Sequence, residues 1–183
     1  MAQINTPKEV LALAQKSATG KMQLPAGKTL LLAFLAGAYI AMGGLFSLMA
    51  GFGFLGVAEA PGLQRLLSGL VFPLGLILVV FAGAELFTGN NAVLVPGALG
   101  RRYGWGKVLR NWGLVYAGNF IGAAFFAYFL VVLPGVLSSE LWREAACNVA
   151  QAKVSMPWLT VFLRGVGANW LVCLAVWLGL STD

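Results

Sequence analysis

The chain has 183 residues, of which 60% are hydrophobic and only 10% carry a charge. Soluble domains contain about 25% charged residues, so this composition excludes an ordinary soluble domain and indicates an integral membrane protein. The net charge of +6 does not indicate nucleic-acid binding, because the basic residues lie in short clusters between apolar segments, as topology signals do. With no histidine and two cysteines, the sequence offers no metal-ligand cluster and no Cys/His catalytic pair. We therefore expect no metal, no cofactor and no enzymatic activity.

Residues 5–20 predict a short helix ahead of the first apolar segment. Thr6 suits the N-cap, Pro7 the first helical position and Glu9 a capping box. Apolar residues on one side and lysines elsewhere make this helix amphipathic. We assign residues 1–28 to a cytoplasmic N-terminal amphipathic helix and residues 29–183 to a transmembrane domain. The pattern leaves open whether the helix lies on the membrane surface, lies at a pore mouth, or packs on the cytoplasmic rim.

Four apolar segments follow, at about residues 29–55, 66–99, 112–133 and 157–180. A spanning helix needs about 20 apolar residues, so each segment is long enough to cross a bilayer. The second is too long for one simple span, and polar residues within it predict a helix broken near residues 87–91. The sequence thus predicts an all-α integral membrane protein with four spans. The longest connection, residues 135–155, contains a stretch that could form a short surface helix at 138–144.

The lysines and arginines orient these spans. Eight lie before the first span or between the second and third, and three lie in the other two loops. The eight are Lys8, Lys16, Lys21, Lys28, Arg101, Arg102, Lys107 and Arg110. Basic residues favour the cytoplasmic side, so we predict a multi-pass protein with its N-terminus in the cytoplasm.

The polar residues at 84–91 interrupt the second apolar segment. They are Glu85, Thr88, Asn90 and Asn91, with Gly89 among them. Polar groups at membrane depth are costly, and a broken helix there is tolerated where it lines a pathway. The N–H groups and positive end of a helix that starts inside the membrane favour an anion. Phe72 and Phe87, in the same segment, could form apolar constrictions.

Further polar residues lie in or beside the last two segments. Asn119 is in the third, and Arg164 and Asn169 are in the fourth. Arg164 must pair or face water, and a pair with Glu85 remains open. Lys153 precedes Asn169 by about four helical turns, so the two could share a face. Two interpretations of Lys153 remain open: it attracts anions, or it extends its charged end into water from the end of a helix. Two also remain open for Asn169: it belongs to the same anion path, or it forms a hydrogen bond to a neighbouring helix.

Three ordered stretches resemble the formate/nitrite transporter family of pentameric membrane channels. They are residues 83–89 on the broken segment, 111–112 with 115–123 on the third, and 165–177 on the fourth. The similarity extends from about Lys21 to the end of the sequence. It implies an aquaporin-like helical bundle, which makes residues 29–183 a channel domain in the inner (plasma) membrane. It further implies a homo-pentamer in the lipid bilayer.

The resemblance also implies site residues and substrates. The loop that closes the cytoplasmic slit corresponds to Leu86, Phe87 and Thr88, and an outer aromatic constriction corresponds to Phe72. Lys153 and Asn169 correspond to a polar pair that draws anions to the pore. The implied substrates are small monovalent anions, such as nitrite, formate or hydrosulfide, moved passively or with a proton. The sequence Glu-Leu-Phe-Thr-Gly from Glu85 is closer to the nitrite and hydrosulfide branches.

Members of this family have six spans in two inverted repeats, whereas this sequence carries four. We expect the last two spans, with the Glu-His pair of the second repeat, to lie outside these 183 residues. They belong to a longer form of this chain or to a second chain that completes a split channel; a four-span member with a different pore is the third alternative. An assembly or structural subunit that conducts nothing is the alternative function.

Overall fold

The computed structural model describes residues 4–52 and 61–182. Helices account for most of these residues. They are α1 (Pro7–Met22), α2 (Ala26–Phe52), α3 (Pro61–Val71), α4 (Pro73–Phe81), α5 (Phe87–Leu99), α6 (Trp105–Phe125), which continues as a π-helix over Phe126–Val132, α7 (Glu140–Val154) and α8 (Trp158–Gly179).

Four helical stretches of the described residues are long and apolar enough to span a membrane. They are Ala26–Phe52, Gly62–Phe81, Trp105–Val132 and Trp158–Gly179. The predicted all-α membrane fold is confirmed. The third span begins seven residues before the predicted 112, because its first turns carry basic residues that an apolar count leaves out. Residues 53–55, the predicted end of the first span, lie outside the described residues.

The interruption of the second apolar segment lies at residues 82–86, earlier than the predicted 87–91. Gly83 has φ +70°, and the N–H of Ala84 bonds to the carbonyl of Val79 over 3.0 Å. Together with a bond from the Gly83 N–H to Val80, this is a Schellman motif that ends α4. The chain then runs extended through Leu86, so residues 87–91 form the first turns of α5. The helix is broken by Gly83 and not by Gly89.

Helices α2 and α6 cross at very short distance because glycines face backbone at the crossing. A Cβ on Gly37 would overlap the backbone of Asn119, and one on Gly122 would overlap the carbonyl of Phe34. Small residues permit such close approach in membrane bundles. The crossing brings Asn119 beside the interruption, which lies against α2: the Glu85 N–H donates to the Leu32 carbonyl over 3.3 Å.

Helix α1 packs on the second half of the broken segment. Its buried residues Ala14 and Ala18 form a cluster with Val93 and Leu94 of α5 and with Val108 of α6. The predicted capping box is present: the Glu9 N–H donates to Thr6 Oγ1 over 3.4 Å, and the hydroxyl and N–H of Thr6 each donate to Glu9 Oε2 over 2.7 Å. The bond from the Thr6 hydroxyl, followed by the bond from its N–H, lowers the pKa of Glu9. Of the three positions left open for this helix, the structure therefore favours packing on the bundle.

Both ends of the described chain lie on the same side of the bundle. The backbone N–H of Asn5 donates to the carbonyl of Ser181 over 2.8 Å. The loop helix predicted at 138–144 is longer than expected and forms α7, with Ser139 at its N-cap and Lys153 in its last turn.

Candidate functional site at the helix break

The buried carboxylate of Glu85 is the centre of the interruption. Its side chain is almost fully enclosed, and its residue is 3% exposed. Lys21 of α1 donates to Oε1 over 2.7 Å, and the amide of Asn90 donates to Oε2 over 2.8 Å. A buried charge is costly unless it is paired and hydrogen-bonded, and both carboxylate oxygens meet that condition.

Asn90 extends this network to α6. Its Nδ2 also donates to Oδ1 of Asn111 over 2.9 Å, so both amide hydrogens are used. Asn90 and Asn111 are 1% and 5% exposed. The series Lys21–Glu85–Asn90–Asn111 therefore links α1, the interruption, α5 and α6 through side chains alone.

Asn119 fixes the backbone on both sides of Leu86. Its Oδ1 accepts the N–H of Phe87 over 2.9 Å, and its Nδ2 donates to the carbonyls of Glu85 (2.9 Å) and Ala33 (2.8 Å). The first N–H of α5 has no partner within its own helix, as at any helix start. A side chain from α6 supplies that partner and ties the interruption to α2.

The three predicted gate residues point in different directions. Phe87 packs edge-on against Tyr116 and Trp112 of α6, with ring centroids 5.5 and 6.2 Å apart. Thr88 lies toward α8, where the thiol of Cys173 donates to its carbonyl over 3.3 Å. The Thr88 hydroxyl has no hydrogen-bond partner in the part of the chain that the structure describes. Leu86 is buried at the N-cap of α5.

A cavity of about 280 Å³ lies under the interruption, between α1, α4, α5 and α8. Leu86, Gly89 and Asn90 line it from the gate side, and Ser17 and Lys21 line it from α1. Helix α8 contributes Val176, whose side chain would lie 3.3 Å from a Cβ on Gly89. The cavity therefore reaches from the N-terminal helix to the first turn of α5.

Asn91 forms a polar contact between α5 and α8, in addition to the contact between Thr88 and Cys173. Its Nδ2 donates to Oδ1 of Asn169 over 3.2 Å. Its own Oδ1 is buried and has no partner among residues 4–52 and 61–182. The predicted residue Asn169 is thus bonded to α5, one turn beyond Thr88.

The remaining predicted residues lie away from the interruption. Phe72 stands at the junction of α3 and α4 and is 42% exposed. Lys153 is exposed at the end of α7, and no hydrogen bond joins it to Asn169 within the described ranges. Arg164 is exposed on α8, and the cation that pairs with Glu85 is Lys21.

Sequence reasoning missed Lys21 and Asn111. Lys21 was counted among the residues that set topology, although it stands at the end of the predicted amphipathic helix, 64 residues before its partner. Asn111 begins one of the stretches that resemble the family, which was the available signal.

The sequence is similar to a known protein family and to several of its members. The sequence model of the family described as "Formate/nitrite transporter" matches residues 8–183. The chain is 42% identical over 177 residues to a probable formate transporter of Methanothermobacter thermautotrophicus, covering 89% of this chain and 65% of that protein. It is 34% identical over 178 residues to the formate channel FocA of Escherichia coli (strain K12), covering 96% of this chain and 61% of that protein.

Two solved structures share the fold. A pentameric formate channel with formate bound has a TM-score of 0.72 and 35% identity, over 83% of this chain and 59% of that chain. An FNT family ion channel has a TM-score of 0.79 and 29% identity, over 96% of this chain and 68% of that chain. The chain therefore spans about two thirds of the length of these relatives.

Proposed function

Because the chain belongs to the formate/nitrite transporter family, we propose that it is a pore-forming subunit for small monovalent anions. We further propose a homo-pentamer in the inner membrane with the N-terminus in the cytoplasm. The observation that carries the proposal is the helix start at Phe87, held inside an apolar bundle by Asn119 and bordered by a cavity. The names of the relatives support formate as a substrate; the local sequence from Glu85 supports nitrite and hydrosulfide equally.

The start of α5 supplies what a permeating anion requires. The positive end of a helix dipole lowers the free energy of a nearby negative charge. Asn119 occupies the N–H of Phe87, whereas the hydroxyl of Thr88 remains available as a donor. Leu86 provides an apolar wall beside these groups, which admits an anion only after part of its hydration is removed.

Three residues outside the interruption complete the proposed path. Lys153, exposed on α7, raises the local concentration of anions at the outer mouth. Asn169 offers its amide beside the Asn91 contact and passes the anion toward Thr88. Phe72 forms the outer apolar constriction.

Formate and nitrite flux in proteoliposomes tests this function. We expect Thr88→Ala to lower flux by about tenfold, since a hydrogen bond to a charged group is worth about 1.5–3 kcal/mol. Thr160→Ala, in the first turn of α8, removes the same hydroxyl away from the interruption and should leave flux unchanged. A correctly assembled sample that passes neither anion would overturn the proposal and favour a non-conducting subunit.

Lys153→Ala separates attraction from conduction. A steering charge acts through a field that salt screens, so its loss should lower flux strongly at low ionic strength and weakly at high ionic strength. Lys28→Ala is the matched control, because Lys28 is also exposed but starts α2 on the other side. Equal losses at all salt concentrations would remove Lys153 from the proposed entry path.

A further inference from the structure

A second cavity, of about 170 Å³, lies outside the interruption between the end of α1 and the starts of α2 and α6. Three basic residues line it: Lys21, Lys107 and Arg110. Lys107 and Arg110 are three residues apart on α6, so their side chains lie on one face of the helix. Nothing in the proposed conduction path uses this pair.

No carboxylate of the described residues neutralises Lys107 or Arg110. The ion pair of the described chain joins Lys21 to Glu85, and no ion pair there includes Lys107 or Arg110. Among the acidic residues of the described ranges, Glu9 bonds to Thr6, and Glu140 and Glu144 lie at the start of α7. The cavity therefore keeps an excess of positive charge.

A buried amide also faces this cavity. Asn111 lines it while being 5% exposed, and its Oδ1 is engaged by Asn90. Its Nδ2 has no hydrogen-bond partner in the part of the chain that is described. Nδ2 is therefore available to donate to an acceptor bound in the cavity.

Lys21 can donate to a ligand in this cavity while it stays bonded to Glu85. An ammonium group has three donors, and the Glu85 contact uses one of them. Arg110 adds a planar fork that suits two oxygens of one group. Two ammonium groups, a guanidinium and an amide, all donors, match a compact anion with several acceptor oxygens and more than one negative charge.

We propose that the cavity lined by Lys21, Lys107, Arg110 and Asn111 binds a phosphate group, carried by inorganic phosphate or by the headgroup of an anionic phospholipid. Trp105, two residues before Lys107 at the start of α6, is 46% exposed, and an exposed tryptophan at a helix end is typical of the membrane interface, where headgroups lie. The site shares Lys21 and Asn111 with the network at the interruption, whereas Lys107 and Arg110 belong to this cavity alone.

Two binding assays on the purified protein distinguish the sources of phosphate. The first follows thermal unfolding while phosphate replaces chloride at fixed ionic strength. The second counts phosphatidylglycerol and phosphatidylcholine bound in mixed-lipid nanodiscs. A saturable response to phosphate alone identifies free phosphate as the ligand. Selective retention of phosphatidylglycerol alone identifies the lipid headgroup, and a positive result in both assays shows that the site accepts either carrier. Each of these three results supports the site.

The variant pair is Lys107→Gln/Arg110→Gln against Lys8→Gln/Arg102→Gln. The control removes the same two kinds of charge from positions that are exposed like Lys107 and Arg110 but do not line the cavity. We expect binding to weaken by about tenfold or more in the first variant and to stay unchanged in the control. If the first variant does not fold, Lys107→Gln against Lys8→Gln gives the same comparison.

Three results overturn the proposal: no saturable binding in either assay, equal loss in both variants, or equal stabilisation by formate and phosphate. The last would mark the cavity as an entry point for permeating anions. Flux measured on the same samples keeps this outcome distinct from a failure of the proposed channel function.

Discussion

The peptide N–H of Phe87 donates to Oδ1 of Asn119 over 2.9 Å, so the helix that begins inside the bundle is capped by a residue of another helix. The same side chain donates to the carbonyls of Ala33 and Glu85. One asparagine thus connects the interruption to two spans, and its loss affects three hydrogen bonds together.

Asn119→Ala should lower the free energy of unfolding by about 3 kcal/mol, at about 1 kcal/mol for each hydrogen bond lost. Thermal unfolding in detergent measures the change. Asn148→Ala is the control, because Asn148 is exposed on α7 and the same truncation there should change stability by less than about 0.5 kcal/mol. Similar melting of the two variants would show that Asn119 does not hold the interruption.

The contact between Lys21 and Glu85 predicts a compensating pair of substitutions. Lys21→Met leaves the 3%-exposed Glu85 carboxylate without its cation. Breaking a buried pair costs about 3–5 kcal/mol, and the partial exposure of Lys21 favours the lower end. Adding Glu85→Gln removes the stranded charge while retaining an acceptor for Asn90, so the double variant should be more stable than Lys21→Met alone.

Thermal unfolding of Lys21→Met, Glu85→Gln and the double variant gives the coupling between the two sites. Lys16→Met, an exposed position on the same helix, controls for the loss of a lysine from α1. Strictly additive effects of the two substitutions would mean that the ion pair does not stabilise the fold.

Two glycines of α6 should respond in opposite ways to alanine. A Cβ at Gly122 would overlap the Phe34 carbonyl of α2, whereas a Cβ at Gly113 meets nothing within 4 Å. Gly122→Ala should force α2 and α6 apart and prevent accumulation of folded protein. Gly113→Ala should be neutral or stabilising by up to about 1 kcal/mol, since alanine is the better helix former. The yield of monodisperse protein on size exclusion checks both expectations.

Apolar length and local capping signals predicted the four spans and the capping box at Thr6, because these features depend on neighbours in sequence. The position of the break was wrong, since a count of polar residues marks the first turns of α5 and not the left-handed glycine before them. The partnership of Lys21 with Glu85 joins residues 64 apart, and only the packing of α1 on α5 brings them together. Long-range pairing of this kind leaves no periodic signal in one sequence.

Substitutions at Gly83 test whether its left-handed conformation causes the break between α4 and α5. Its φ of +70° is strained for a residue with a Cβ, although a Cβ there would meet nothing within 4 Å. Gly83→Ala should therefore destabilise the protein by about 1–2 kcal/mol through backbone conformation alone. Gly83→Asn should cost less, because asparagine adopts the left-handed region more readily.

The two substitutions at Gly83 also separate stability from flux. If the motif that ends α4 positions the start of α5, Gly83→Ala should lower formate flux by more than Gly83→Asn at equal protein content, in the same order as the loss of stability. Gly62→Ala, in the first turn of α3 with no atom near its Cβ and no positive φ, is the matched substitution that should change neither quantity appreciably. The reverse order for alanine and asparagine would contradict a left-handed requirement at this position and would place the origin of the break elsewhere in residues 82–86.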